Sequence, residues 1–255
     1  MRHSELYDRL DDRLDLADYA DVDASANGLQ VGTAEGAADR VAFAVDGVQS
    51  TIETAAEWGA DTLVVHHGLS WGGIERITGR TYGRIAGLIE SKIDLYVAHL
   101  PLDGHQQYGN AAGVAELLDL GNRAPFGALG PVTIGTRGRL PTPSTPEELR
   151  STLEDALDHG GEGVGLLDFG PDQIESVAVV TGDGTDWLDE AVAAGVDAFV
   201  TGEAEGKLYH MAKESGVNVY LGGHYATETF GVEALADLVA EWGPETRVID
   251  EPTGL

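Results

Sequence analysis

Short β-branched or apolar runs alternate along the chain with longer stretches whose apolar residues recur every three or four positions. That alternation is the pattern of an α/β protein with a mainly parallel sheet. In the opening stretch Leu6, Leu10, Leu14 and Leu16 fit one face of a helix. Residues 40–45 (RVAFAV) read as a buried strand, 50–58 as a helix, and 62–65 (TLVV) as a second strand ending in His66 and His67. A helix over 82–91 leads to a third strand at 95–98 (LYVA), which ends at His99, and a helix over 110–118 follows. Residues 121–130 look looser, and a strand is expected over 132–140. Thr145, Pro146 and Glu148 supply the N-cap, the N1 proline and the N3 glutamate of a capping box. The helix they start is expected to run to about Asp158, where Gly160 and Gly161 stop it.

The second half of the chain repeats the first. At a constant offset of 136, VAFAVDG (41–47) lies over VAVVTGD (177–183), and Gly59, Ala60 and Asp61 lie over Gly195, Val196 and Asp197. The strand 62–65 falls on 198–201, and His66 and His67 fall on Gly202 and Glu203. At an offset of 124, IDLYV (93–97) lies over VNVYL (217–221). Any two βαβ units look somewhat alike, but a near-constant register favours duplication. Two related α/β lobes with mainly parallel sheets are therefore expected, residues 1–125 and residues 126–255.

Open α/β sheets present ligands just beyond the carboxyl ends of their strands. His66 and His67 close TLVV in the run VVHHGLSWGG. Successive strand side chains point to opposite faces, so the two imidazoles are expected to share a site only if the backbone turns there, as Gly68 allows. Asp103 follows the third strand in AHLPLDGH, where Pro101 is expected to exclude a helix between His99 and Asp103. His224 and Glu228 come from LGGHYATE, at the exposed start of the final helix, and their spacing of four places both on one helix face. Three histidines and two carboxylates at strand ends suit a metal site. A metal-free acid–base site gathers the same residue types, and spacing alone leaves both readings open.

The runs VVHHGLSW, AHLPLD, FVTGE and GGHYATE, with NGLQVG at residues 27–32, resemble the Nif-three-like dinuclear metal-centre family, the type-two GTP cyclohydrolase homologues. The match keeps the family's order from the first helix to the last, and it is similar to the short form that lacks an insertion between the lobes. The resemblance implies that His66, His67, Asp103, His224 and Glu228 are metal ligands and that six subunits form a toroid. It also implies that two divalent ions sit in the inter-lobe cleft, to which the C-terminal helix of the second lobe returns its ligands. A donor set without thiolate suits Zn, Mn, Fe or Ni. Two ions roughly 3.5–4 Å apart activate water and clamp the attacked and leaving oxygens, so hydrolysis is the favoured reaction class. Glu228 or Asp103 is the candidate bridging carboxylate. His99 and Glu203 are the candidate catalytic residues, His99 as a proton shuttle or ligand orienter and Glu203 as an outer base, although each also reads as an ordinary strand-end residue. Gly182, Asp183 and Gly184 are placed to offer amides to a phosphate. Trp71 is expected simply to pack, His3, His105 and His159 to take no role, and His210 is a further candidate for the cleft.

Charge changes the picture more than composition does. Lys plus Arg number 15 and Asp plus Glu 44, a formal net charge of -29. Repulsion at that density opposes compactness unless salt screens it, and at roughly molar salt the Debye length is about 3 Å. The chain reads as a cytoplasmic protein of a high-salt cytosol, an ordinary acidic mesophilic protein being the alternative. Nucleic acid and anionic lipid are disfavoured as partners. The lack of cysteine excludes disulfides, thiolate ligands and a thiol nucleophile. Residues 1–23 show no signal-peptide core, and no run approaches the roughly 20 apolar residues of a membrane span. The expected function is a dinuclear metal-dependent hydrolase of a small nucleotide-like or phosphorylated substrate, working as a homo-oligomer, a hexamer by the resemblance. A non-catalytic metal-binding scaffold, chaperone or sensor suits the same ligands. A protein-interaction adaptor is a third reading, against which the lack of an apolar exposed stripe argues.

Overall fold

The computed structural model describes residues 1–157 and 163–254. It begins with α1 (His3–Arg13), β1 (Gly28–Val31), β2 (Arg40–Asp46), α2 (Gln49–Trp58), β3 (Thr62–His67), α3 (Gly79–Ser91) and β4 (Asp94–Val97). There follow α4 (Leu100–Gly104), α5 (Asn110–Leu117), β5 (Gly121–Leu129), β6 (Val132–Ser144), α6 (Pro146–Ala156), β7 (Gly165–Leu167) and β8 (Ile174–Val179). The chain continues through α7 (Leu188–Ala194), β9 (Ala198–Thr201), α8 (Lys207–Ser215), β10 (Asn218–Leu221), α9 (His224–Thr227), α10 (Thr229–Glu241) and β11 (Glu245–Val248). These elements divide into two units: Met1–Leu102 with Gly231–Glu251, and Asp103–Phe230 with the chain from Pro252 onward.

The first unit holds a five-stranded sheet in the order β1-β4-β3-β2-β11, parallel except for the edge strand β1, which runs antiparallel to β4. Both faces of β2 are buried, as a parallel sheet covered by helices requires. Ala42 and Ala44 pack with Ile52, Ala55, Leu63, Val65, Leu88 and Leu95. The second unit holds a six-stranded sheet, β5-β6-β8-β9-β10-β7, in which β8, β9 and β10 are parallel and the flanking pairings are antiparallel. Its core joins Val177, Val179, Val200 and Tyr220 to Leu149 and Leu153 of α6 and to Val114 of α5.

The offsets seen in the sequence recur in the ladders. Val41 pairs with Thr62 as Val177 pairs with Ala198, and Thr62 pairs with Asp94 as Ala198 pairs with Asn218. The Asp61 carboxylate accepts the amides of Asp39 and Arg40 at 3.0 and 2.9 Å, and Asp197 accepts those of Glu175 and Ser176 at the same distances. α2 and α7 both end on a left-handed glycine, Gly59 and Gly195, the conformation a helix C-terminus favours. α3 and α8 end in the same way on Lys92 and Gly216.

Local expectations change at several points. The stretch 121–130 is not loose: β5 runs antiparallel to β6, and its apolar residues do not alternate, which hides it from a period-two reading. The Glu190 carboxylate accepts the Gly127 and Ala128 amides of this strand. Pro101 does not exclude a helix, because it sits in the first turn of α4, where its missing N–H has no intrahelical partner to lose. Leu16 is not on α1, which ends at Arg13 before Asp15 turns left-handed at φ 50°. The capping box forms: Thr145 Oγ1 accepts the Glu148 N–H at 3.3 Å, and Glu148 Oε2 accepts the Thr145 N–H at 2.9 Å. α6 ends at Ala156, short of the expected Asp158, with Leu157 already extended; Asp158, His159 and the stop at Gly160 and Gly161 lie outside the described residues.

Candidate metal centre

β3 stays extended through His66 and His67, so the backbone turn expected at the pair is not there. β4 pairs with β3 only as far as Val65, and beyond it β3 is held by β2 alone. A strand paired on one side twists more freely, and the two rings come to 4.6 Å between centroids. His99, just after β4, completes a cluster, its ring 5.0 Å from that of His66 and 5.7 Å from that of His67. One donor atom from each of the three lies within 4.8 Å of the others. Each ring is oriented through Nδ1: to the Ala98 carbonyl from His66, to Asp46 Oδ1 from His67 and to Asp23 Oδ1 from His99, all at 2.9 Å. A carbonyl or carboxylate only accepts, so Nδ1 carries the proton and, in the neutral ring, Nε2 presents its lone pair. That is the arrangement of metal-binding histidines.

The motif around Asn27 braces this cluster. Asp23 is almost fully buried and accepts N–H bonds from His99, Ser25, Asn27 and Leu100. Burial opposes its charge, but the bonds and the charge of His99, with those from Asn27 and Ser25, outweigh it and hold the carboxyl below its usual range. Asn27 Oδ1 accepts the His99 amide, and Gln30 Oε1 accepts that of Leu69. A Cβ on Gly68 would lie 2.5 Å from Val97 and 2.6 Å from Gln30 Oε1, so this glycine is there for close approach and not for a turn. Trp71 does not simply pack: it is 46% exposed and stands edge-on to His99 at 4.8 Å.

The second unit gathers Asp103, His224 and Glu228. Asp103, on α4, is buried and accepts from Asn110 Nδ2 at 2.9 Å and from the Thr181 hydroxyl at 3.1 Å. Glu228 does not lie at an exposed helix start; it falls in the break between α9 and α10 and is only 3% exposed. Asp103 and Glu228 offer oxygens within 4.8 Å of each other. Two buried carboxylates so close repel unless a proton or cation intervenes. His224 donates from Nδ1 to Glu203 Oε1 at 2.9 Å, and its Nε2 lies 3.3 Å from Glu228 Oε2. Burial alone would lower its pKa, but Glu228 and then Glu203 outweigh burial and push it up to about 9.

Gly182 makes room for this set, since a Cβ there would lie 2.3 Å from Glu228 Oε1. The amides of Gly182 and Gly184 are not offered to a phosphate, because the hydroxyls of Thr227 and Thr201 accept them. His210 is exposed on α8 against Tyr209, His105 accepts the Gln107 and Tyr108 amides of its own turn, and His3 is buried with Nδ1 on the Glu35 carbonyl. Asp46, Asp23, Asn110 and Thr181 carry no signal in the sequence as site residues. Asp46 and Thr181 have only their strand-end positions to point to them, and Asp23 and Asn110 lie outside any strand. The donors, imidazole nitrogens held through Nδ1 and buried carboxylates, fit a borderline or hard divalent ion.

Residues 1–253 match the family described as Duf34/NIF3 (NGG1p interacting factor 3). A Halobacterium salinarum protein named GTP cyclohydrolase 1 type 2 homolog is 55% identical over 252 residues, covering 99% of each chain. A protein of the same name from Archaeoglobus fulgidus is 41% identical over 256 residues, 100% of both chains. The solved structure of protein ybgI, described as of unknown function, superposes with a TM-score of 0.91 at 33% identity and covers 100% of both chains.

Proposed function

Because the chain belongs to the Duf34/NIF3 family, we propose that it binds two divalent ions through His66, His67, Asp103, His224 and Glu228. With them it hydrolyses a small nucleotide-like or phosphorylated molecule, and it works as a hexamer in a high-salt cytosol. The observation that carries the metal reading is the shared treatment of four histidines: His66, His67, His99 and His224 are each oriented through Nδ1 by an oxygen acceptor. Ligating histidines donate their other ring N–H to such an acceptor, and His66, His67 and His99 also converge within 4.8 Å, whereas His3, held in the same way on the Glu35 carbonyl, joins no such cluster among the described residues.

The ions would supply Lewis acidity and water activation near neutral pH. The protein's own groups do the rest. Asp46 and the Ala98 carbonyl hold the His67 and His66 rings, Asn110 and Thr181 fix Asp103, and Glu203 orients His224. His99, with Asp23 on Nδ1, is the group placed to move a proton at Nε2.

Elemental analysis after gentle anaerobic purification tests the reading, followed by a phosphoesterase and cyclohydrolase screen that begins with GTP, the substrate named by the relatives. We expect two ions per chain, and loss of metal and of turnover together in His67→Ala. Trace metal that reconstitution does not raise would overturn the metal reading. Full metal without turnover on any substrate would leave a scaffold, chaperone or sensor in place of the hydrolase.

A further inference from the structure

α1 does not lead straight into the first sheet. It ends at Arg13, Asp15 turns left-handed, and a single 3-10 turn runs over Leu16–Tyr19. Residues 11–23 hold six aspartates against one arginine. Asp11, Asp12, Asp15 and Asp18 line a cavity of about 600 Å³, and Ser25 forms another part of its wall. An acidic hollow is expected by itself on a chain of 44 acids. Two observations set this one apart. Ser25 is only 6% exposed, and its hydroxyl has no hydrogen-bond partner. The residue is held by its backbone instead: its amide donates to Asp23 Oδ1 at 2.8 Å, and it bridges to Trp71 as an isolated β-pair. Buried hydroxyls are normally satisfied, so one left over on a cavity wall calls for a polar partner from outside the chain. The second observation is the lack of counter-charge. Among the described residues Asp12, Asp15 and Asp18 have no cationic partner. Arg9 pairs with Glu5, and Asp11 accepts the Tyr96 hydroxyl at 2.6 Å.

The donor chemistry selects the ligand. Carboxylates only accept, and a serine oxygen accepts as well as donates, so the ligand is a cation, either a bare ion or one that carries N–H groups. A bare divalent ion needs several oxygens converging on one point. Among the described residues none of these four carboxylates belongs to a group of three donors within 4.8 Å of one another, as the donors of the metal centre do. Charge spread along a cavity of this size fits charge spread along a flexible molecule. Leu16 and Ala20 line the same cavity, and methylene groups laid on them leave water at no polar cost. Each exposed ion pair is weak and screened by salt, so affinity must come from several ammonium groups tethered together.

We propose that this cavity binds an aliphatic polyamine, with ammonium groups on the Asp12, Asp15 and Asp18 carboxylates and one N–H on Ser25 Oγ. The site shares no residue with the metal ligands, and the proposal stands whether or not the metal reading does. Equilibrium dialysis of the full chain against labelled spermidine in molar KCl tests it, with chelator present and with circular dichroism on every variant. We expect one spermidine per chain. Binding should weaken about tenfold or more in Asp15→Asn/Asp18→Asn, several-fold in Ser25→Ala, and not at all in Glu53→Gln/Glu57→Gln, which removes the same charge from exposed positions of α2. Several spermidines per chain, or an equal loss in the α2 control, would mean a counterion atmosphere and overturns the proposal. Magnesium that displaces spermidine at equal charge does the same, since a bare ion then suffices. So does wild-type affinity in Ser25→Ala, and binding that appears only without chelator belongs to the metal centre. No binding at all leaves the Ser25 hydroxyl to water and equally overturns the assignment. Should the double aspartate variant not fold, Asp12→Asn and Ser25→Ala decide.

Discussion

Gly182→Ala tests whether the position of Glu228 depends on a glycine five elements earlier in the chain. Gly182 has φ +62°, and a Cβ added there would lie 2.3 Å from Glu228 Oε1 and 3.2 Å from His224 Nε2. Gly195 has φ +68°, and its added Cβ meets nothing within 4 Å. Both substitutions place an L-residue in the left-handed region, at about 1–2 kcal/mol, so Gly195→Ala measures that cost alone. Gly182→Ala must in addition push a buried carboxylate aside, because 2.3 Å is well inside the ~3.5 Å at which non-bonded atoms rest. Disturbing a ligand or its support costs about 10–100-fold in metal affinity, or about 1.4–2.7 kcal/mol. Metal bound only by the folded state passes that loss on to stability. Urea unfolding with and without chelator, together with metal titration, should show Gly195→Ala with wild-type affinity and Gly182→Ala with both losses in the metal-loaded protein. Equal destabilisation by the two variants, or wild-type metal affinity in Gly182→Ala, would refute the reasoning.

His224 titrates in the folded, metal-free protein at about 9, above the ordinary 6.5. Its ion pairs therefore stabilise fully below about pH 6.5, and the contribution is lost as pH rises through about 9. The stability difference between wild type and His224→Gln should shrink over that window, while metal binding, which needs the neutral ring, tightens; pH-resolved unfolding and titration check both, and a flat difference counts against the assignment. Asp46→Ala, which frees the His67 ring, should weaken metal binding about 10–100-fold without moving chelated stability, as read by calorimetric titration. The melting temperature should climb from dilute buffer to molar KCl as exposed carboxylates are screened, and a flat profile would remove the halophilic reading.

The legible part of the fold was the repeated part. Arg40–Asp46, Thr62–His67 and Asp94–Val97 and their counterparts are apolar runs buried on both faces, and such strands announce themselves in composition. Gly28–Val31, Gly165–Leu167 and Glu245–Val248 did not, because each is a short strand at a sheet edge with a partner on one side only. The site shows the same divide. His66, His67, Asp103, His224 and Glu228 stand out as donors at strand ends, whereas Asp46 and Thr181 look like any polar residue closing a strand. What makes them matter is a ladder register and a ring orientation, neither of which has a local pattern. Glu228 departs from its expected exposure: its spacing from His224 is helical, yet the helix breaks at it and leaves it buried.

Matching registers in the two sheets give Val41–Phe43, Thr62–Val65 and Asp94–Val97 twins with the same backbone partners and often different chemistry. Twins that agree, such as Asp61 with Asp197 or Gly59 with Gly195, report what the architecture demands of any occupant. Twins that disagree carry a local demand: His67 stands against Glu203 as one choice of donor, whereas Gly202, the counterpart of His66, is a glycine because a Cβ there would lie 2.7 Å from the Gly182 carbonyl oxygen and 2.8 Å from His224 Cα. One chain thus separates its scaffolding from its vocation without reference to any relative. Between twins of matching register that both carry a side chain, transplanting one residue to the other's address is accordingly a gentle way to change a function of this molecule, since the backbone geometry at the two addresses is shared.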